Sequence, residues 1–165
     1  MSIERFREAQ NAPFAGFETA LEEVRAGAKR SHWIWYVFPQ IDGLGSSEPS
    51  RRFALHGEAE AAEFLRDPEL RARLLTITSA VLEQLDRERR PALRTVMGSA
   101  IDATKLVSSM TLFRHVAERL QDQDQEQERR DAYAAIARAA GAVLARAAEE
   151  GYPPDAYTLR RLGVR

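Results

Sequence analysis

Two clusters of side chains in this chain have types and spacing that chemistry uses. The first is Lys29-x-x-His32-Trp33-x-Trp35-Tyr36-x-x-Pro39-Gln40, which gathers an ammonium, an imidazole, two indoles, a phenol and a carboxamide. His32 is either a general acid or base near neutral pH or a satisfied structural residue. Directly behind it, Gly43-Leu44-Gly45-Ser46-Ser47 offers backbone N–H groups and hydroxyls able to cradle a phosphate or carboxylate, or else forms a plain turn. It lacks the Lys-Ser/Thr ending of a P-loop. The second cluster is Lys105 with Ser108 and Ser109, neighbours at helical steps of three and four. That spacing suits an anion site or a lysine-activated hydroxyl; the other reading is that the serines permit close helix contact.

Together the clusters predict one pocket for a small anionic or nucleotide-like ligand. In it Lys29, Trp33, Trp35, Tyr36, Gln40, Gly43, Gly45, Ser47 and Ser108 bind, while His32, Lys105 and Ser109 are the catalytic candidates. The reaction, where there is one, is metal-independent hydrolysis or group transfer. The alternative is a non-catalytic protein-protein interaction module that presents the tryptophans at its surface.

Composition narrows these readings. With no cysteine, the chain has neither disulfides nor thiolate ligands nor a cysteine nucleophile, and its three histidines show no metal-ligand spacing with nearby acids. No metal and no cofactor is called for. A formal net charge of -1 argues against a nucleic-acid partner held through phosphates. No window approaches the ~20 apolar residues of a membrane span, so the expectation is a cytoplasmic protein without a membrane partner. Monomer and homodimer are equally compatible with the sequence.

The elements that must position the clusters read as helices. Ser2 caps a short first helix; Phe14, Phe17, Leu21 and Val24 then form a stripe ending at Gly27. The aromatic run Trp33 to Phe38 has strand propensity, but convincing partner strands are lacking, and a helix ending near Pro39 is the favoured reading. Such a helix groups Lys29, His32, Tyr36 and Gln40 along one face. Asp42 to Ser50 reads as loop, and Asp67-Pro68 opens a helix striped by Leu70, Leu74, Ile77, Val81 and Leu85. Ser99 or Asp102 caps a helix through Leu106, Met110, Phe113 and Val116. The polar stretch 121–130 reads as an exposed helical extension or a connector, after which Asp131 caps an alanine-rich helix; Asp155 caps a last turn. The whole is an all-α, single compact multi-helix domain over 1–165, a length that suits one core.

The motifs Lys29-x-x-His32-Trp33-x-Trp35-x-x-x-Pro39-Gln40, Gly43-Leu44-Gly45-x-Ser47, Lys105-Leu106-x-Ser108-Ser109-Met110-Thr111-Leu112-Phe113 and Asp155-x-x-Thr158-Leu159 resemble, in the same order, a bacterial family known as domain of unknown function 1810. The resemblance implies a compact, mainly helical domain without an established biochemical role. The chain departs from the family pattern at 121–130 and in the alanine-rich helix. The label calpastatin sometimes attached to members does not fit, because calpastatin is intrinsically disordered and this chain carries the apolar stripes of a packed core.

Overall fold

A long helix, buried on all sides through its middle, organises the fold. The computed structural model describes residues 2–164. At its centre runs α8 (Ala100–Gln123), in which every residue from Leu106 to Phe113 is buried. A helix segment buried on all sides has no polar face to spare, and two of the three small polar residues of this run, Ser108 and Thr111, satisfy themselves locally. Ser108 Oγ donates to the Thr104 carbonyl at 3.2 Å and Thr111 Oγ1 to that of Val107 at 2.7 Å, the usual back-bond to the preceding turn.

A turn at residues 124–126 folds α9 (Gln127–Glu149) back along α8 as a helical hairpin. The other elements pack around it. Against α9 lies α6 (Pro68–Leu85), capped by Asp67, whose carboxylate accepts the Leu70 N–H at 2.9 Å. Covering α6 is α2 (Phe17–Arg25), while α5 (Gly57–Arg66), α7 (Leu93–Val96), α10 (Ala156–Arg161) and the single turn α3 (Ile34–Val37) contact α8. The remaining helices are α1 (Glu4–Gln10), where Ser2 Oγ accepts the Glu4 N–H at 3.2 Å, and α4 (Glu48–Arg52). Among the described residues no strand forms, and the one isolated bridge pairs Ile41 with Leu55. The all-α expectation holds.

Four local expectations are revised. The aromatic segment forms one helical turn, because its flanking backbone donors are taken by other parts of the chain: Lys29 N–H by the Val96 carbonyl at 2.8 Å, and the Arg30 and Ser31 N–H groups by the Glu23 carboxylate at 2.7 and 2.8 Å. Lys29, His32, Tyr36 and Gln40 therefore share no helix face. Phe14 leaves the α2 stripe and is 87% exposed, since Ala15 adopts a positive φ of 53° and Gly16 starts the helix. The loop after Asp42 ends earlier than expected, where Ser47 caps α4. The cap expected at Asp131 is absent; α9 begins at Gln127 beyond a turn in which the Asp124 carboxylate accepts the Glu126 N–H at 2.9 Å and Arg129 Nε at 2.8 Å.

Candidate functional site

Asp102, in the first turn of α8, joins the two clusters. Its Oδ2 lies 2.8 Å from Lys29 Nζ and its Oδ1 3.9 Å from Lys105 Nζ. Each ammonium also stands over one indole: Lys29 Nζ is 4.9 Å from the Trp33 ring centre and Lys105 Nζ 4.8 Å from that of Trp35. Trp33 is fully buried and donates from Nε1 to Glu23 at 3.0 Å. Burial alone pushes the Glu23 carboxyl up, but donors from the Ser31 hydroxyl, the Ser31 and Arg30 N–H groups and the Trp33 indole outweigh it and hold the group at about 2. The two clusters thus meet in an alternation of acid, indole and ammonium.

Lys29 and Trp33 lie on the inner side of this alternation, whereas Lys105 lies on the outer side and borders a groove of ≈ 300 Å³. The groove runs between α8, which contributes Ile101, Thr104, Lys105 and Ser108, and the glycine loop, which contributes Leu44 and Gly45; Ser50 of α4, Gln40 and Asp155 complete it. The loop has little freedom. Gly43 has a φ of 99°, and a Cβ there would fall 1.9 Å from Tyr157 Oη. Tyr157 donates to the Asp42 carbonyl at 3.0 Å, and Arg161 reaches the same carbonyl at 2.7 Å and the Asp42 carboxylate at 2.8 Å. From the other side, Ser47 Oγ accepts the Ser50 N–H at 3.2 Å. Asp155 is anchored to α8, its N–H donating to Thr111 Oγ1 at 3.0 Å, and its carboxylate caps α10 by accepting the Thr158 N–H at 2.9 Å. A second hollow of ≈ 290 Å³, walled by Val107, Tyr152, Pro153 and Pro154, shares Thr104, Ser108 and Asp155 with the first.

Of the residues expected to form a site, Gln40, Gly45, Lys105 and Ser108 line this groove. Gly43 and Ser47 shape the loop without lining it, and Trp35, half-buried, supports Lys105. Tyr36 points elsewhere and donates its hydroxyl to the Ala15 carbonyl. His32 is exposed and Ser109 is fully buried, and neither is among the groove residues. The Ser109 Oγ and Trp35 Nε1 have no hydrogen-bond partner among the described residues. Glu23 and the bridging role of Asp102 escaped the reading of the sequence, as did the place of Asp155 in the groove. Asp102 three residues before Lys105 was the available signal; Glu23 gave none, because its partners come from another segment. Among the described residues no three His, Asp or Glu side chains gather as a metal site.

Fold and groove together define an all-α domain built on a helical hairpin, with a cleft where α8 meets the glycine loop and α10. The chain belongs to the family described as Protein of unknown function (DUF1810), which it matches over residues 1–135. It is also similar to the conserved hypothetical protein Rv1873 from Mycobacterium tuberculosis, whose crystal structure it matches with a TM-score of 0.70 at 31% identity, covering 99% of this chain and 97% of the other. No functionally curated protein matches the chain. Among the described residues no helix is long and apolar enough to cross a membrane.

Proposed function

We propose that this protein binds a small ligand through one anionic group, held by Lys105 in the groove between α8, the glycine loop and Asp155. The observation that carries the reading is convergence. Three stretches far apart in the chain, Gln40 to Ser50, Ile101 to Ser108, and Asp155, wall the same ≈ 300 Å³ space, a volume at the lower end for ligand pockets. Lys105 suits the task because Trp35 below and Asp102 beside it hold the ammonium in place, so little side-chain freedom is lost on binding.

The charge balance favours a monoanion over a nucleotide. Lys105 is the one cationic side chain among the groove residues, and the Asp155 carboxylate in the same wall repels a polyphosphate. Binding is better supported than catalysis: Ser108 is engaged with a carbonyl, Ser109 lies inside the helix packing, and His32 is away from the groove. An interaction module built on the tryptophans finds little support, with Trp33 fully buried and Trp35 beneath Lys105.

Thermal-shift and calorimetric titration with short carboxylates, sugar phosphates and nucleotides tests the reading. Monoanions are expected to stabilise the wild type and to lose most of that effect on Lys105→Gln. If no anion stabilises the wild type more than Lys105→Gln, the reading fails.

A further inference from the structure

Resting on the groove as an anion-binding site, we propose that its ligand is a zwitterion with charges about 5–9 Å apart, of the ω-amino acid or dipeptide class. The carboxylate end lies on Lys105 and the ammonium end on Asp155.

The groove carries two opposite charges that do not neutralise each other. Lys105 is within ion-pair range of Asp102, at 3.9 Å, and among the described residues Asp155 forms no ion pair. Asp155 is nonetheless fixed. Its Oδ2 accepts from both the N–H and the hydroxyl of Thr158, at 2.9 and 2.6 Å, while Oδ1 has no hydrogen-bond donor among the described residues. A carboxylate with one oxygen held and the other unengaged, bordering a groove that also holds a fixed ammonium, is suited to a ligand bearing both signs.

The spacing follows from α8. Asp155 shares the groove wall with Ser108 and docks its N–H on Thr111, three and six residues beyond Lys105. At about 1.5 Å of rise per residue, the positions on α8 that Asp155 meets lie roughly 4.5–9 Å along the helix from Lys105, which sets the scale of a ligand able to reach both. An α-amino acid, whose charges stand about 3 Å apart, is too short to meet both; a dipeptide or a six-carbon ω-amino acid spans about 6–8 Å. The body of such a ligand lies along Thr104 and Ser108, with Ile101, 69% exposed, and Leu44 as apolar cover. Burying that isoleucine on binding accounts for a large apolar side chain otherwise left in water.

The test is isothermal titration of the full chain with 6-aminohexanoate, hexanoate and glycine, repeated with Asp155→Asn and Asp155→Ser, both of which keep a helix-capping side chain. The expected result is that 6-aminohexanoate binds about tenfold or more tighter than hexanoate, that both Asp155 variants erase this advantage while still binding hexanoate, and that glycine binds more weakly than either. Equal affinity for hexanoate and 6-aminohexanoate, or an advantage that survives in both variants, overturns the zwitterion proposal and leaves the anion groove standing. Glycine binding as tightly as 6-aminohexanoate overturns the spacing. If neither hexanoate nor 6-aminohexanoate binds the wild type, both the proposal and the groove reading beneath it fall.

Discussion

At the scale of single residues, the side chains with the most chemical character serve two different ends. Lys29, 8% exposed, is bound to Asp102 and the Ser31 carbonyl and lies over Trp33, so its charge is consumed inside the fold. Losing one partner of such a pair leaves the other charge uncompensated, which makes Lys29 a stability residue in the first place. Glu23 does the same work from α2. Its carboxyl is held at about 2, far below the 4.5 of a free glutamate, so the folded state favours the ionised form. The associated stabilisation is fully present above pH about 4.5 and declines as pH falls toward about 2. Glu23→Gln keeps an acceptor but loses the charge, and is expected to lower stability by roughly 1–2 kcal/mol at pH 7. Melting both proteins between pH 7 and pH 2.5 checks this: the gap between them should narrow on acidification, and a constant gap would assign the loss to packing.

Between elements, the groove depends on how α10 grips the glycine loop. Gly43→Ala forces a Cβ into the place of the Tyr157 hydroxyl at a backbone φ of 99°. The left-handed conformation costs about 1–2 kcal/mol and the displaced hydroxyl about 1 kcal/mol more. In a Tyr157→Ala background the steric part disappears, so the two substitutions should couple by about 1 kcal/mol in a double-mutant cycle read by urea denaturation. Additive losses would show that loop and helix stabilise the fold independently. The devices that organise this region were unequally legible in the sequence. Caps such as Asp67, Ser99 and Asp155 depend on local backbone geometry, and they act where their residue types indicate. Lys105 and Ser108 were legible as a pair because a helix fixes their spacing. The single turn at Ile34–Val37 was not, since its flanking donors are satisfied by Glu23 and Val96, and a partner in another segment leaves no periodicity to read. For the same reason His32 and Ser109 looked equivalent to Lys105 on paper, although one ends at the surface and the other in the core.

For the molecule as a whole, the family match at residues 1–135 stops in the middle of α9, yet the physical domain does not. Beyond residue 135, α9 buries Ile136, Ala140, Val143, Leu144 and Ala147. Arg146 closes the same region by donating to the Leu85 carbonyl at 2.6 Å and that of Pro91 at 2.9 Å. Removing these residues exposes the faces of α6 and α8 that they cover, at roughly 1.5–3 kcal/mol for each large side chain brought into water. Domains are commonly stable by only 5–15 kcal/mol, so that loss is comparable with the whole margin. The segment after Glu150 has a different weight. It contributes the buried Thr158 and Leu162, the clamp on Asp42 and the Asp155 carboxylate of the groove, while the α8–α9 hairpin is complete without it. A chain ending at residue 150 should therefore melt cooperatively at a lower temperature and no longer discriminate 6-aminohexanoate from hexanoate. A chain ending at residue 135 should show helical far-ultraviolet dichroism without a cooperative transition. Thermal melts followed in the far and near ultraviolet separate these outcomes. A sharp transition in the shorter chain would mean that α1 to α8 hold a sufficient core, and that the second half of the hairpin was added to a domain already complete.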